Sequence, residues 1–281
     1  DAAAKSAKSN SPDTVPKPDQ TQTLSEHVSK QLLADYGVCV TKEILVESPQ
    51  AAVEAAAQIG FPVVLKLCGE QIAHKTERDL VRLGLNNAQA VAQAATDLWQ
   101  RRRAEDGEVG LLVAEMVQGR RELIAGMIRD PQFGPCILIG LGGILTEALG
   151  DVAFARAPFE RDEARRMVES LRAKHLLLKP FRGEGPVDLD ALVDTLVGLA
   201  RLAVARPDIH SIDVNPLIIV DGKPVAVDGL VEIGPSQTGL AVTPAVSRSA
   251  EEIRARFRPL FHPRGIVVTG ASSHPGKFGF V

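Results

Sequence analysis

The sequence predicts a mixed α/β chain assembled from small α+β units, and three observations carry that expectation. Short β-branched runs at 61–68, 81–85, 111–117, 122–128, 136–139 and 152–157 alternate with stretches of helical periodicity at 49–59, 88–103, 163–171 and 189–204. Two runs rich in Val, Ile and Leu flank Asp221-Gly222. Asp-Gly between apolar runs signals a β-hairpin, because a tight primed turn needs φ > 0 at its centre. Finally, an apolar run after Gly265 leads into Gly270-Ala-Ser272 and Pro275-Gly-Lys277, the opening pattern of a doubly wound fold.

Composition narrows the function classes. A chain of 281 residues has room for one large or two modest domains. A net charge of -3 and a pI near 6.1 argue against general binding to nucleic acid or anionic membranes, and an aromatic content of 4% against a base-stacking surface. No stretch reads as a signal peptide or spanning helix. Cys39, Cys68 and Cys136 are odd in number, widely spaced and set in apolar runs, which fits reduced packing thiols in a cytoplasmic protein.

In chain order, residues 1–22 are dominated by Ala, Lys, Ser, Pro, Thr and Gln, with Val15 the single branched aliphatic residue. They bury too little apolar surface to offset ordering and are expected to form a disordered linker. Thr23-x-x-Glu26 reads as a capping box for a helix whose Val28, Leu32, Leu33 and Tyr36 share a face until Gly37. Ser48-Pro49 opens an Ala-rich helix that Gly60 ends. The run 61–68 is apolar except for Lys66, so it predicts a buried strand carrying one cation. A polar loop with His74-Lys75 follows, then the strand at 81–85. Gln118-Gly119 reads as a second hairpin turn and sets Glu115 opposite Glu122. Like charges opposed on a sheet are unfavourable; solvent exposure, neutralisation by Arg120 or Arg121, or a bound ligand would each account for the pair. Gly140-Leu-Gly-Gly143 lacks both P-loop and Rossmann spacing, so a tight backbone crossing competes with a phosphate loop. The strand at 152–157 holds Arg156.

In the Asp221-Gly222 hairpin, paired residues have numbers with a constant sum. Ile218 then faces Val225, Leu217 faces Ala226, and Asn215 faces Asp228. Directly opposed side chains lie about 5 Å apart, and Asp213 projects to the same face. Three oxygen-bearing groups at the open end of an apolar hairpin suit Mg²⁺, a hard cation that completes its shell with water and phosphate oxygens. Turn chemistry at Asp-x-Asn-Pro and a simple strand end at Asp228 are the competing reading. With no initiating Met and only a half-unit after Pro263, the chain is expected to be a piece of something longer.

Seven segments together resemble, in order, the ATP-grasp module of the NDP-forming acyl-CoA synthetases, the ADP-forming acetate-CoA ligase group related to the succinyl-CoA synthetase β-subunit. They are Gly60-Phe-Pro-Val-Val-Leu-Lys66, His74-Lys75-Thr76, Glu122-Leu-Ile-Ala-Gly126, Asp130-Pro-Gln-Phe-Gly-Pro135, Gly140-Leu-Gly-Gly143, Asp213-Val-Asn-Pro-Leu217 and Val227-Asp228. The resemblance implies an ATP-grasp fold with an N-terminal subdomain at 23–115, a C-terminal subdomain at 116–234, a linker at 235–260 and the truncated start of a Rossmann-like CoA-binding domain at 261–281. It implies that Lys66, Lys75, Glu115, Val117, Glu122 and Arg156 meet ATP or ADP, that Asn215 and Asp228 hold Mg²⁺, and that Gly270, Ser272 and Lys277 belong to a partial CoA site. His74 matches a phosphoryl-carrying histidine, a task for which a neutral imidazole nitrogen is suited near pH 7. CoA-binding and CoA-ligase domains on the same longer chain are the implied partners, with CoA a substrate of the complete enzyme and the oligomeric state, a homo-oligomer included, left open.

Two departures bear on activity. Many relatives carry two glycines after the His-Lys segment where this chain has Asp79-Leu80, and many carry Asp-Ala-Arg where it has Asp228-Gly-Leu230. Two functions are therefore expected to compete: the phosphoryl-transfer module of an ADP-forming acyl-CoA synthetase, and a degenerate nucleotide-sensing module attached to CoA-binding domains. A third, an ATP-grasp ligase making acyl phosphates for amines, is disfavoured by the segment 265–279.

Overall fold

The computed structural model describes residues 21–72, 78–143, 150–181, 183–236 and 249–265. Its larger sheet is antiparallel and combines β1 (Gln22–Thr23), β6 (Glu122–Asp130), β7 (Gly134–Leu141), β8 (Val152–Arg156), β9 (Ile209–Val220), β10 (Lys223–Ala226) and β11 (Leu230–Ile233). The order is β1-β11-β9-β6-β7-β8, with β10 on the other half of β9. The smaller sheet has the order β2-β5-β3-β4, from β2 (Glu43–Val46), β3 (Val63–Gly69), β4 (Val81–Leu85) and β5 (Val109–Glu115). Each sheet lays one face on helices, which is why its strands alternate inward apolar residues with outward ones.

Helices α2 (Pro49–Ile59) and α3 (Ala88–Gln100) cover the smaller sheet, where Ala52, Ala56, Val91 and Leu98 meet Leu65, Leu67 and Val113. On the larger sheet, α1 (Glu26–Asp35), α4 (Arg161–Ser170), the short α5 (His175–Leu178) and α6 (Leu189–Ala205) share a core with β6, β7 and β9. Ser48 caps α2 by accepting from the Ala51 N–H, and Gly60 closes it at φ +96°, as Ser-Pro and Gly predict. The cap of α1 differs from expectation. Ser25, not Thr23, accepts from the Val28 N–H, and Thr23 instead pairs with Glu232 in β1. A two-residue strand claims Thr23 before the helix begins. Through Leu32 and Leu33, α1 packs on the larger sheet although it precedes the smaller one in sequence.

The expected hairpin at Gln118-Gly119 is not formed. Strand β5 pairs with β2 and β3, whereas β6 pairs with β7 and β9, so 116–121 crosses between sheets. Glu115 is opposite Val63, Glu122 is opposite Ile218, and the like-charge pair disappears. Glycine at 119 serves close approach, since a Cβ there would stand 2.3 Å from the Ile219 carbonyl oxygen. The Asp221-Gly222 hairpin forms in the expected register, with Ile218 opposite Val225 and Leu217 opposite Ala226.

The chain divides into two compact units at 239/240. In the second, α7 (Ala250–Phe261) begins with a capping box between Ser249 and Glu252. Cys68 is buried, but Cys39 is exposed rather than packed. Among the described residues no helix is long and apolar enough to cross a membrane.

Candidate functional site

Alternation on β3 sends Val63, Leu65 and Leu67 to the helices and Val64 and Lys66 to the opposite face. Val81 lies opposite Lys66 and Ala114 opposite Val64, so both share that outer face. On the larger sheet, Leu217 and Ile219 enter the core while Pro216 and Ile218 look outward. Between these faces lies a cleft of about 430 Å³. Val64, Val81, Leu83, Met116 and Ile218 make apolar walls, while Lys66, Glu115 and Asp228 supply charge. Such a space suits a flat, partly apolar ring joined to an anionic tail.

Lys66, 5% exposed, donates to Glu26 Oε1 at 2.6 Å and to Asp228 Oδ2 at 3.4 Å. Burial alone would lower its pKa, but the negative charges of Glu26 and Asp228 and the hydrogen bonds to them outweigh that, and the net shift is upward. The ammonium is thus held charged. Glu26 belongs to a buried chain of alternating sign. Lys30 Nζ lies 3.6 Å from Glu26, 2.5 Å from Glu43 Oε2 and 2.6 Å from Thr41 Oγ1, and it donates to the Val227 carbonyl at 3.1 Å. Sequence reading assigned Glu26 to a cap and passed over Lys30 and Thr41. The signal available was Glu26, Ser29, Lys30 and Leu33 at helical spacing on one face, a polar interruption that only a partner strand could satisfy.

The Val227 N–H donates to the Pro216 carbonyl, which continues the hairpin register and leaves Asn215 level with Asp228. Asp213 lies two residues along on the same face, opposite Leu230. Its carboxyl is raised above its ordinary value, first by lost hydration and then by the charge of Asp228. Among the described residues no three His, Cys, Asp or Glu side chains cluster as a metal site. Asp213, Asn215 and Asp228 nevertheless form an all-oxygen set that fits a hard cation with several coordination positions left for water and phosphate.

Other expected site residues sort themselves by position. Glu115 accepts the Lys42 N–H at 2.8 Å, and Val117 lines the cleft beside it. Glu122 shares the outer face with Ile218, and its backbone carbonyl accepts the Gly142 N–H at 2.7 Å. A Cβ at Gly142 would lie 2.8 Å from the Glu122 backbone, so a tight crossing accounts for this part of the glycine run. Arg156 is not brought to the cleft. It is exposed on edge strand β8, level with Cys136 of β7 and hence with Ile128 of β6, six residues or about 20 Å along from Glu122. His74, Lys75, Gly270, Ser272 and Lys277 lie outside the described residues.

Comparison with known proteins gives this geometry a family. The ATP-grasp domain family matches residues 17–233. The chain belongs to the ATP-grasp family. It is 36% identical over 212 residues to the β subunit of ADP-forming acetate–CoA ligase I of Pyrococcus furiosus, covering 74% of this chain and 91% of that subunit. ADP-forming acetate–CoA ligase II of Archaeoglobus fulgidus is 34% identical over 92% of this chain, which covers 36% of that longer protein. Relatives therefore carry the ATP-grasp part either as a separate subunit or within a longer chain. The solved acetyl-coenzyme A synthetase 1 of Ca. Korarchaeum cryptofilum, in complex with coenzyme A and Ca-AMPCP, superposes with a TM-score of 0.71 at 36% identity, covering 75% of this chain and 93% of that one.

The two departures acquire physical reasons within this ATP-grasp fold. Asp79 takes φ +55°, the left-handed conformation that glycine adopts freely and Asp tolerates better than most residues. Its carboxylate is occupied by Arg82 at 3.0 Å and Arg101 at 2.9 Å, while Leu80 is buried in the smaller core. Glycine at 229 fits because a Cβ there would meet Leu33 at 3.0 Å, on the helix that carries Lys30.

Proposed function

We propose that this chain is the nucleotide-binding, phosphoryl-transferring part of an ADP-forming acyl-CoA synthetase, which interconverts acid, CoA and ATP with acyl-CoA, ADP and phosphate. The observation that carries this reading is a cleft whose apolar walls also hold Lys66 and Asp228, with Asn215 level with Asp228 on the paired strand. The β-subunit relationship supports it.

Val64, Val81, Leu83 and Ile218 hold the purine, with Glu115 and the backbone to Val117 along its edge and Glu122 nearer the ribose. Lys66 offsets phosphate charge, and Asp213, Asn215 and Asp228 hold Mg²⁺. The cation, when bound, neutralises charge on the phosphate oxygens, while the protein's share is positioning and electrostatics. His74 carries the phosphoryl group and Lys75 lies beside it, by their match to the family motif. Gly270, Ser272 and Lys277 begin the CoA site. Subdomains at 23–115 and 116–234, CoA-binding and CoA-ligase partners, and a cytoplasmic setting complete the proposal. Arg156 has no place in the cleft and is assigned no phosphate contact.

A sensing module without chemistry is the second reading, favoured by Asp79-Leu80. Calorimetric titration with ATP and ADP, with and without Mg²⁺, tests the site. Mg²⁺-dependent binding that weakens at least tenfold in Asp228→Ala is expected. Absence of binding by either nucleotide at millimolar concentration overturns the proposal for this chain. In a complete enzyme carrying this sequence, His74→Ala should abolish turnover; unchanged turnover would favour the sensor.

A further inference from the structure

The buried chain of charges has a feature that nucleotide binding alone does not require: Lys66 is already engaged by the carboxylate expected to receive the cation. Its Nζ stands 2.6 Å from Glu26 and 3.4 Å from Asp228, and the Asp228 side chain is 38% exposed where Glu26 is fully buried. One partner is thus permanent, and the other opens to the cleft.

We propose that Lys66 is an internal counter-ion that occupies Asp228 until a divalent cation replaces it, and that Glu26 is the positioning residue keeping the displaced ammonium beside the cleft. This rests on the reading of Asp228 as a cation ligand. A cation arriving alone must displace Lys66 from Asp228, and the loss of that attraction opposes binding. A cation arriving with a polyphosphate meets no such penalty, because the phosphates offer the ammonium new oxygen partners. Glu26 cannot follow Lys66 outward, since it lies on α1 with Leu32 and Leu33 anchored in the larger core. The consequence is selectivity for the metal–nucleotide complex over the free metal.

The opposite directions expected of two variants separate this role from a structural one. Free Mn²⁺, a probe for Mg²⁺ visible by electron paramagnetic resonance, is titrated into the full 281-residue chain without nucleotide. Lys66→Met, which frees Asp228, should bind Mn²⁺ about tenfold more tightly than wild type. Glu26→Gln, which leaves Asp228 as the nearer carboxylate for Lys66, should bind it several-fold more weakly. General damage would weaken both. Binding lost in Asp228→Ala but unaffected by Lys66→Met overturns the counter-ion role alone. Failure of every protein to bind Mn²⁺, with or without ATP, overturns the cation site and this role with it. Should Lys66→Met not fold, the Lys66 side-chain ¹⁵N resonance of the wild-type protein decides. It should shift when Mg²⁺ alone is added to saturation; an unmoved resonance refutes displacement.

Discussion

Asp79 shows how one side chain can depart from a glycine and keep its geometry. The residue has φ +55° and shares its carboxylate between Arg82 and Arg101. Asp79→Gly relieves the backbone but gives up two exposed pairs, each worth about 0–1 kcal/mol. The two effects offset, and urea unfolding should show a net change within about 1 kcal/mol. Asp79→Ala keeps the left-handed cost without either pair, and should be less stable than Asp79→Gly by about 1 kcal/mol. Asp106 has a different role. Its buried carboxylate accepts from Arg78 at 2.7 and 3.0 Å and from the Arg103 N–H. The Arg78 hydrogen bonds are the chief reason its pKa lies below the usual range, against a smaller opposing push from burial. A depressed folded pKa means stabilisation present above the unfolded value of about 3.9 and lost as pH falls through the folded one. Asp106→Asn should therefore cost about 2 kcal/mol at pH 7. In a denaturation series from pH 7 to 2, the difference from wild type should begin to narrow below about pH 4 and keep narrowing as pH falls through the lower folded pKa.

Local chemistry wrote most elements legibly, and its failures have physical causes. Ser48-Pro49, Gly60 and Asp221-Gly222 act within four residues, so their helix and hairpin were readable. Gln118-Gly119 carries the same local signal, yet the strands on either side enter different sheets. A turn signal specifies a bend, not the partner of the strand that follows. The level of Asn215 with Asp228 was legible because a hairpin register is arithmetic, whereas Lys30 and Glu26 reach Glu43, Lys66 and Val227 through tertiary packing that no local pattern announces. Gly119 is the sharpest test at this scale. A Cβ there would lie 2.3 Å from the Ile219 oxygen and 2.5 Å from Ile218 Cγ2. Gly119→Ala should lose about 1–3 kcal/mol by overpacking. Because Ile218 lines the cleft, ATP affinity measured by calorimetry under folded conditions should fall as well.

Across the whole ATP-grasp unit, α1 is the piece that belongs to both sheets. Its apolar side, Leu32 and Leu33, is buried in the larger core, and its polar side sends Lys30 to Glu43 of β2 and Glu26 to Lys66 of β3. Buried ion pairs of this kind contribute little net stability when intact, because desolvation offsets attraction, but removing one member leaves an uncompensated charge. Lys30→Met keeps the aliphatic length and deletes the cation that Glu43, Thr41 and the Val227 carbonyl share. The expected loss is about 3–5 kcal/mol. It should be distributed unevenly. Strands β6, β7 and β9 hold their core through Leu123, Ile137 and Leu217, which do not depend on Lys30, whereas β2 is an edge strand tied to α1 by that cation. Amide hydrogen exchange should therefore accelerate through β2, β3 and β5 in the variant while β6 and β7 stay protected. Equal acceleration in both sheets would mean that the two unfold as one cooperative unit, and that α1 is a structural core element rather than the clasp between them.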